Sequence, residues 1–221
     1  MSHEMRPTLA PAFLSSLGWI ALLGSAALLI GNVVGSIVVP DHDWIADTVS
    51  DLAAGRFEII QDVALYGYAG ALLALALGTA HVHDGAFRWT ALTFILVLLA
   101  LCVVIIGARN EYGDGDSEGL VIHIYIVYVM GALFAGCFIL MGLVGDQLSG
   151  RLRIVSWCVA VLWCVGAPIF FLMPTGYDGL WERGLGVVSL VWVVTYGCVL
   201  LQVSRNCQGG NNRNVNRSDE V

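Results

Sequence analysis

The chain contains no lysine; all ten of its basic residues are arginine. Charged residues of either sign make up only 12% of it. That leaves too little polar cover for a water-soluble surface, while hydrophobic residues reach 58% and the mean hydropathy is +0.80. A polytopic membrane protein is the class left standing. A net charge of −7 and the lack of any basic stripe exclude a nucleic-acid binder. No Walker loop, G-x-S-x-G, H-E-x-x-H or C-x-x-C pair occurs. Six cysteines are present, but five fall inside apolar runs and Cys207 lies in a polar tail, so they read as packing residues rather than a disulfide framework. The middle of the apolar runs holds no Asp, Glu or Arg, with Asn32 the most polar group at depth. This counts against an ion-coupled pump.

What is there is length and oiliness. Crossing a hydrocarbon core takes roughly 20 apolar residues. Six runs qualify, near 13–39, 59–80, 89–107, 120–144, 154–173 and 185–203. The expected fold is all-α, a polytopic bundle of six transmembrane helices over residues 13–203. A short segment, 1–12, precedes it, and an Asn-rich polar tail, 204–221, reads as disordered. The first run is longer than a signal-peptide core and is taken as a retained span. Counting arginines by compartment gives seven on the side of both termini against three opposite. The positive-inside rule then predicts a cell-membrane protein with both termini cytoplasmic. Twelve of the seventeen acidic residues fall on the other, outer side. Small-residue patterns (Gly31-x-x-x-Gly35, Gly131-x-x-x-Ala135, Ala132-x-x-x-Gly136) predict close helix packing within the chain, and would also suit a homo-oligomer. Pro168 is expected to kink span five and open space beneath the outer surface. Trp89, Trp157 and Trp181 read as interfacial anchors.

Each outer segment delivers polar groups at one level. The stretch DTVSDLAAGRFE (47–58) brings Asp47, Ser50, Asp51 and Arg56. Asp62 and His123 lie about one turn inside spans two and four, Arg109 closes span three, and Glu182 and Arg183 precede span six. On a helix Asp47, Ser50 and Asp51 share a face, and two carboxylates there need an arginine, a shared proton or a cation. One reading makes Asp47, Ser50, Asp51 and His123 catalytic, with Arg109, Arg183, Glu182 and Asp62 binding a substrate. A divalent metal would then have Asp47, Asp51 and His123 as candidate ligands. The other reading is capping: Thr48-x-x-Asp51 is a capping box with Asp in place of Glu. The loop GDGDSEG (113–119) imitates half of a calcium loop, but Tyr125 stands where the bidentate Glu belongs, which excludes an EF-hand.

Asp47-Thr48-Val49-Ser50-Asp51-Leu52 after the first span, His123 early in span four, and Pro174-x-Gly176…Gly179-Leu180-x-x-Arg183-Gly184 before the last span carry a resemblance. Together they resemble the bacterial and archaeal membrane family of unknown function numbered 998, over about residues 13–203. The resemblance implies a six-span fold and no established activity, and it weights Asp47, Ser50 and Asp51 toward a site. Three functions stay open. The first is a membrane-embedded enzyme acting on a lipid or lipid-linked substrate. The second is a small-molecule transporter with an outer vestibule, and the third a structural or partner-binding bundle.

Overall fold

The computed structural model describes residues 9–53, 55–108, 118–174 and 176–218. It contains six long helices: α1 (Pro11–Val38), α2 (Glu58–Val82), α3 (Phe87–Ala108), α4 (Glu118–Val144), α5 (Gly150–Phe170) and α6 (Asp178–Ser218). All six are long and apolar enough to cross a membrane. In lipid every backbone N–H and C=O must be satisfied within the segment, and only the helix does this for an isolated run. The chain is a multi-pass membrane bundle.

The ends follow local chemistry. Pro11 opens α1 at a position where its missing N–H costs nothing. Val39 leaves helical geometry (φ −71°, ψ 121°) because Pro40 follows it. Asp41 then reverses the chain in the left-handed region (φ 58°), which Asp tolerates better than most residues. Helix α6 begins seven residues before the apolar run at 185, so Glu182 and Arg183 lie in its second turn rather than ahead of it. It also continues past Ser204 to Ser218, so the composition boundary expected at 204 does not coincide with a helix end. Pro168 sits inside the last turn of α5.

Each helix packs on the next in sequence, and α6 closes the ring against α1. Small residues form the tightest seams. A Cβ on Gly24 would overlap the Gly67 carbonyl of α2, and one on Gly18 would stand 2.9 Å from the Gly197 carbonyl of α6. Gly31 is seated against Ala64 and Gly35 against Leu52, so that motif is spent on packing within the chain. Three buried hydrogen bonds fix the rotation of α6: Tyr68 Oη to Ser189 Oγ (3.0 Å), Trp192 Nε1 to Ser156 Oγ (2.9 Å), and Thr79 Oγ1 with Tyr196 Oη (2.9 Å). Side chains at 189, 192 and 196 share one helical stripe, so α6 turns a single face to α2 and α5. An aromatic cluster fills the centre of the ring. Phe134 and Phe138 of α4, Trp163 of α5, and Trp192 and Tyr196 of α6 pack with neighbouring centroids 4.8–5.7 Å apart.

Large apolar side chains such as Leu23, Ile30, Val161 and Leu162 point outward, as a lipid-facing surface requires. Trp89 departs from the expected anchor role. It is wholly buried and donates to Gln147 Oε1 at 3.0 Å, because the start of α3 turns it toward the turn after α4. Trp157 is partly exposed, and Trp181 ties α6 to α5 through the Gly166 carbonyl (2.8 Å).

Candidate functional site

The segment between α1 and α2 is built from short-range caps. Asp43 Oδ1 accepts from Ile45 N–H (2.8 Å) and Ala46 N–H (3.3 Å), which holds that exposed carboxyl below the usual carboxylate range. Asp47 Oδ2 reaches back to Asp43 N–H at 2.7 Å. Thr48 and Asp51 form a reciprocal box. Thr48 N–H and Oγ1–H donate to Asp51 Oδ2 (2.5 and 2.9 Å), while Asp51 N–H donates to Thr48 Oγ1 (3.2 Å). The i, i+4 carboxylates thus answer backbone donors, each in its own cap. They start the short 3₁₀ turn Ser50–Ala53 that presents Ser50.

The start of α6 is the dock for this segment. Leu180 N–H donates to the Ile45 carbonyl (3.0 Å), and Val49 N–H to Glu182 Oε2 (2.7 Å). Arg183 Nη1 donates to the carbonyls of Asp47 (2.7 Å) and Trp44 (3.2 Å), with its guanidinium 5.3 Å from the Trp44 ring centroid. Glycine at 179 lets the segment lie on α6 without strain, since a Cβ there would overlap the Asp47 carbonyl oxygen. The motif Gly179-Leu180-x-Glu182-Arg183 is therefore a receptor for residues 44–49.

His42 completes the dock. Its side chain is 2% exposed. Arg183 Nη2 lies 2.7 Å from His42 Nε2 and can only donate, so that nitrogen is the acceptor. The ring proton then sits on Nδ1, 3.4 Å from Asp47 Oδ2. Burial, then the Arg183 charge, lower the His42 pKa below its ordinary 6.5 against the opposing pull of Asp47, which favours this neutral form.

Beneath the dock lies a cavity of about 460 Å³, within the range of small-molecule sites. Its polar roof includes Thr48, Ser50, His123, Asp178, Glu182 and Arg183, and its walls are mainly apolar residues of all six helices. Ala167, Phe170 and Phe171, around Pro168, line the α5 side. Ser50 Oγ is 3.3 Å from Nε2 of His123, which is buried at 6% exposure. Asn32 also lines the wall, and its buried Oδ1 has no hydrogen-bond partner among the described residues. Phe134 and Trp163 form the floor, continuous with the packed aromatic cluster.

Four of the residues picked from sequence, Ser50, His123, Glu182 and Arg183, thus meet around one cavity. Asp47, Asp51 and Asp62 are absent from its wall, and Arg56 stacks on its neighbour Phe57. Arg109 and residues 113–117 of the acidic loop lie outside the described residues. Among the described residues no group of three or more His, Cys, Asp or Glu is placed to hold a metal ion. His42, Trp44 and Gly179 were not singled out by chemistry. Only Gly179 carried a signal, as part of the Gly-Leu-x-x-Arg-Gly run.

Residues 22–199 match the family described as protein of unknown function (DUF998). The chain belongs to this family. The match spans both the segment carrying Ser50 and the dock on α6. Comparison with curated proteins and with solved structures yields no match. The six-span architecture that the resemblance implied is therefore the architecture of a DUF998 member, and the activity has to be argued from the site.

Proposed function

We propose that this DUF998 protein is a membrane-embedded enzyme that acts on a lipid or lipid-linked substrate at the outer leaflet of the cell membrane, with both termini in the cytoplasm. One observation carries the reading: a hydroxyl–imidazole pair, Ser50 and His123, at the polar roof of an apolar cavity. A substrate's apolar part fills the cavity, and its ester lies against the roof. His123 Nε2 accepts the Ser50 hydroxyl proton as Oγ attacks the carbonyl carbon. The carbon–oxygen bond to the leaving alcohol breaks, and that alcohol takes the proton from His123. Water then attacks the acyl-Ser50 ester, its proton passing through His123 back to Ser50 Oγ. Asp47 and Asp51 act by holding the turn that presents Ser50. Against the transporter alternative stands the aromatic cluster, packed against the floor residues Phe134 and Trp163.

An alkyl fluorophosphonate, which bonds covalently to activated serine hydroxyls, tests this. Peptide mass spectrometry of the full chain in nanodiscs is expected to find the adduct on Ser50. Loss of the general base in His123→Ala should slow labelling by about 10²- to 10⁴-fold. Labelling at equal rates in wild type and His123→Ala, both folded, would remove the pair from any catalytic role.

A further inference from the structure

Arg183 is held in the cavity roof entirely by uncharged groups: the carbonyls of Trp44 and Asp47, and the neutral His42 ring. Among the described residues it makes no ion pair. Its Nε–H is buried and has no hydrogen-bond partner among the described residues. A guanidinium carries five N–H donors. Both on Nη1 and one on Nη2 are used, which leaves the Nε–H and one Nη2–H. Arginine stays charged at any physiological pH, and its remaining donors suit the paired oxygens of a carboxylate or phosphate. Below this charge the cavity lining is mainly apolar as far as Phe134 and Trp163, with Asn32, Tyr68 and Ser189 as its polar members.

We infer that the ligand of this cavity is a single-chain amphiphile with an oxyanion head, carboxylate or phosphate, bound by Arg183, its chain running down toward Phe134. His42 and the two carbonyls are positioning groups that hold the guanidinium by direct contact, while the carboxylates of Glu182, Asp47 and Asp51 act on it from beyond ion-pair distance. The inference names the ligand class of the proposed site and rests on that reading, but it concerns binding rather than turnover.

Native mass spectrometry of the full chain, with dodecyl phosphate, laurate, dodecanol and inorganic phosphate as probes, tests it. Dodecyl phosphate and laurate are expected to bind at least about tenfold tighter than dodecanol, the margin of one charge-assisted pair. Arg183→Gln should erase that margin, and Arg183→Lys should restore part of it. Because Arg183 also docks the loop, a second variant leaves the arginine intact. Gly131 lines the wall, and among the described residues no neighbouring element comes within 4 Å of an added Cβ, so Gly131→Leu takes up chain space. It is expected to weaken both dodecyl anions. Dodecanol binding as tightly as dodecyl phosphate would overturn the oxyanion head. Inorganic phosphate binding as tightly would overturn the amphiphile, leaving a free anion as the ligand. Anion-selective binding that Arg183→Gln or Gly131→Leu left unchanged would place it outside this cavity. Binding as expected with no fluorophosphonate adduct would defeat the enzyme reading alone, and an adduct without anion preference would defeat this inference alone.

Discussion

Gly179→Ala is the sharpest probe of how the roof is built. A Cβ at 179 would overlap the Asp47 carbonyl oxygen and lie 2.6 Å from its carbon and 2.9 Å from Arg183 Nη1. The obstacle is backbone, so no rotamer change relieves it. Two responses compete. If the segment lifts off, it loses the Leu180–Ile45 bond, worth about 1 kcal/mol, and two charge-assisted bonds, Arg183 to Asp47 and Val49 to Glu182, at about 1.5–3 kcal/mol each. That is about 4–7 kcal/mol. If it stays and strains, overpacking costs about 1–3 kcal/mol. Straining is cheaper, so the variant is expected to keep its fold and the seated loop while the free energy of local opening falls by about 1–3 kcal/mol. Amide hydrogen exchange over residues 43–49 should then accelerate by about 5- to 150-fold. Gly184→Ala is the control: it lies on the same helix, and among the described residues no neighbouring element comes within 4 Å of the added carbon. Equal exchange in the two variants would show that residues 44–49 are not seated on α6, and the described roof would fall with that result.

Further outcomes follow from neighbouring residues. His42 is protonated less readily in the seated loop than in a released one, whose pKa is the ordinary 6.5. The released loop binds more protons, so loop stability is complete above pH 6.5 and declines as pH falls toward the lowered seated value. Arg183, Asp43, Asp47 and Asp51 are the charged groups acting on it. Exchange over 43–49, corrected for intrinsic rates, should therefore rise in acid and stay level in His42→Gln; a level wild-type profile would dismiss His42 as the acceptor. In the α1–α2 seam, Gly24→Ala is expected to destabilise by about 1–3 kcal/mol, since its Cβ would also meet Ala71 Cβ at 2.8 Å, whereas Gly70→Ala meets nothing within 4 Å. Matching thermal unfolding of the two in detergent would count against that seam. Asp51→Ala should loosen the turn presenting Ser50 by about 1 kcal/mol, and Asp51→Asn, which keeps a carbonyl acceptor, by less. Equal exchange at Ser50–Ala53 in both would mean that the box does not hold the turn.

Much of the fold could be read directly. Spans two and three begin and end within two residues of the helices, because hydropathy ends where the backbone leaves lipid. Span five lay three to four residues late against Gly150–Phe170, and span six departed furthest. Its first turns carry Asp178, Glu182 and Arg183, polar residues that hydropathy excludes but that the dock accommodates. Asp47 and Asp51 show why chemistry was harder to assign. Their spacing fits a cap and a ligand pair equally well, and only the direction of the carboxylates, toward Asp43 N–H and Thr48 N–H, separates the two. His42 left no local trace, since its partner Arg183 is 141 residues away.

By itself, then, the sequence determined the membrane class and the six spans. Those properties depend on transfer free energy summed over neighbouring residues, which order along the chain records. The tertiary structure decided which polar groups meet. Closing the ring of α6 on α1 brought Arg183 under residues 44–47, and folding the loop over α4 brought Ser50 to His123. A hydrogen bond depends on distances of a few tenths of an ångström between residues far apart in the chain, and only the packed helices set those.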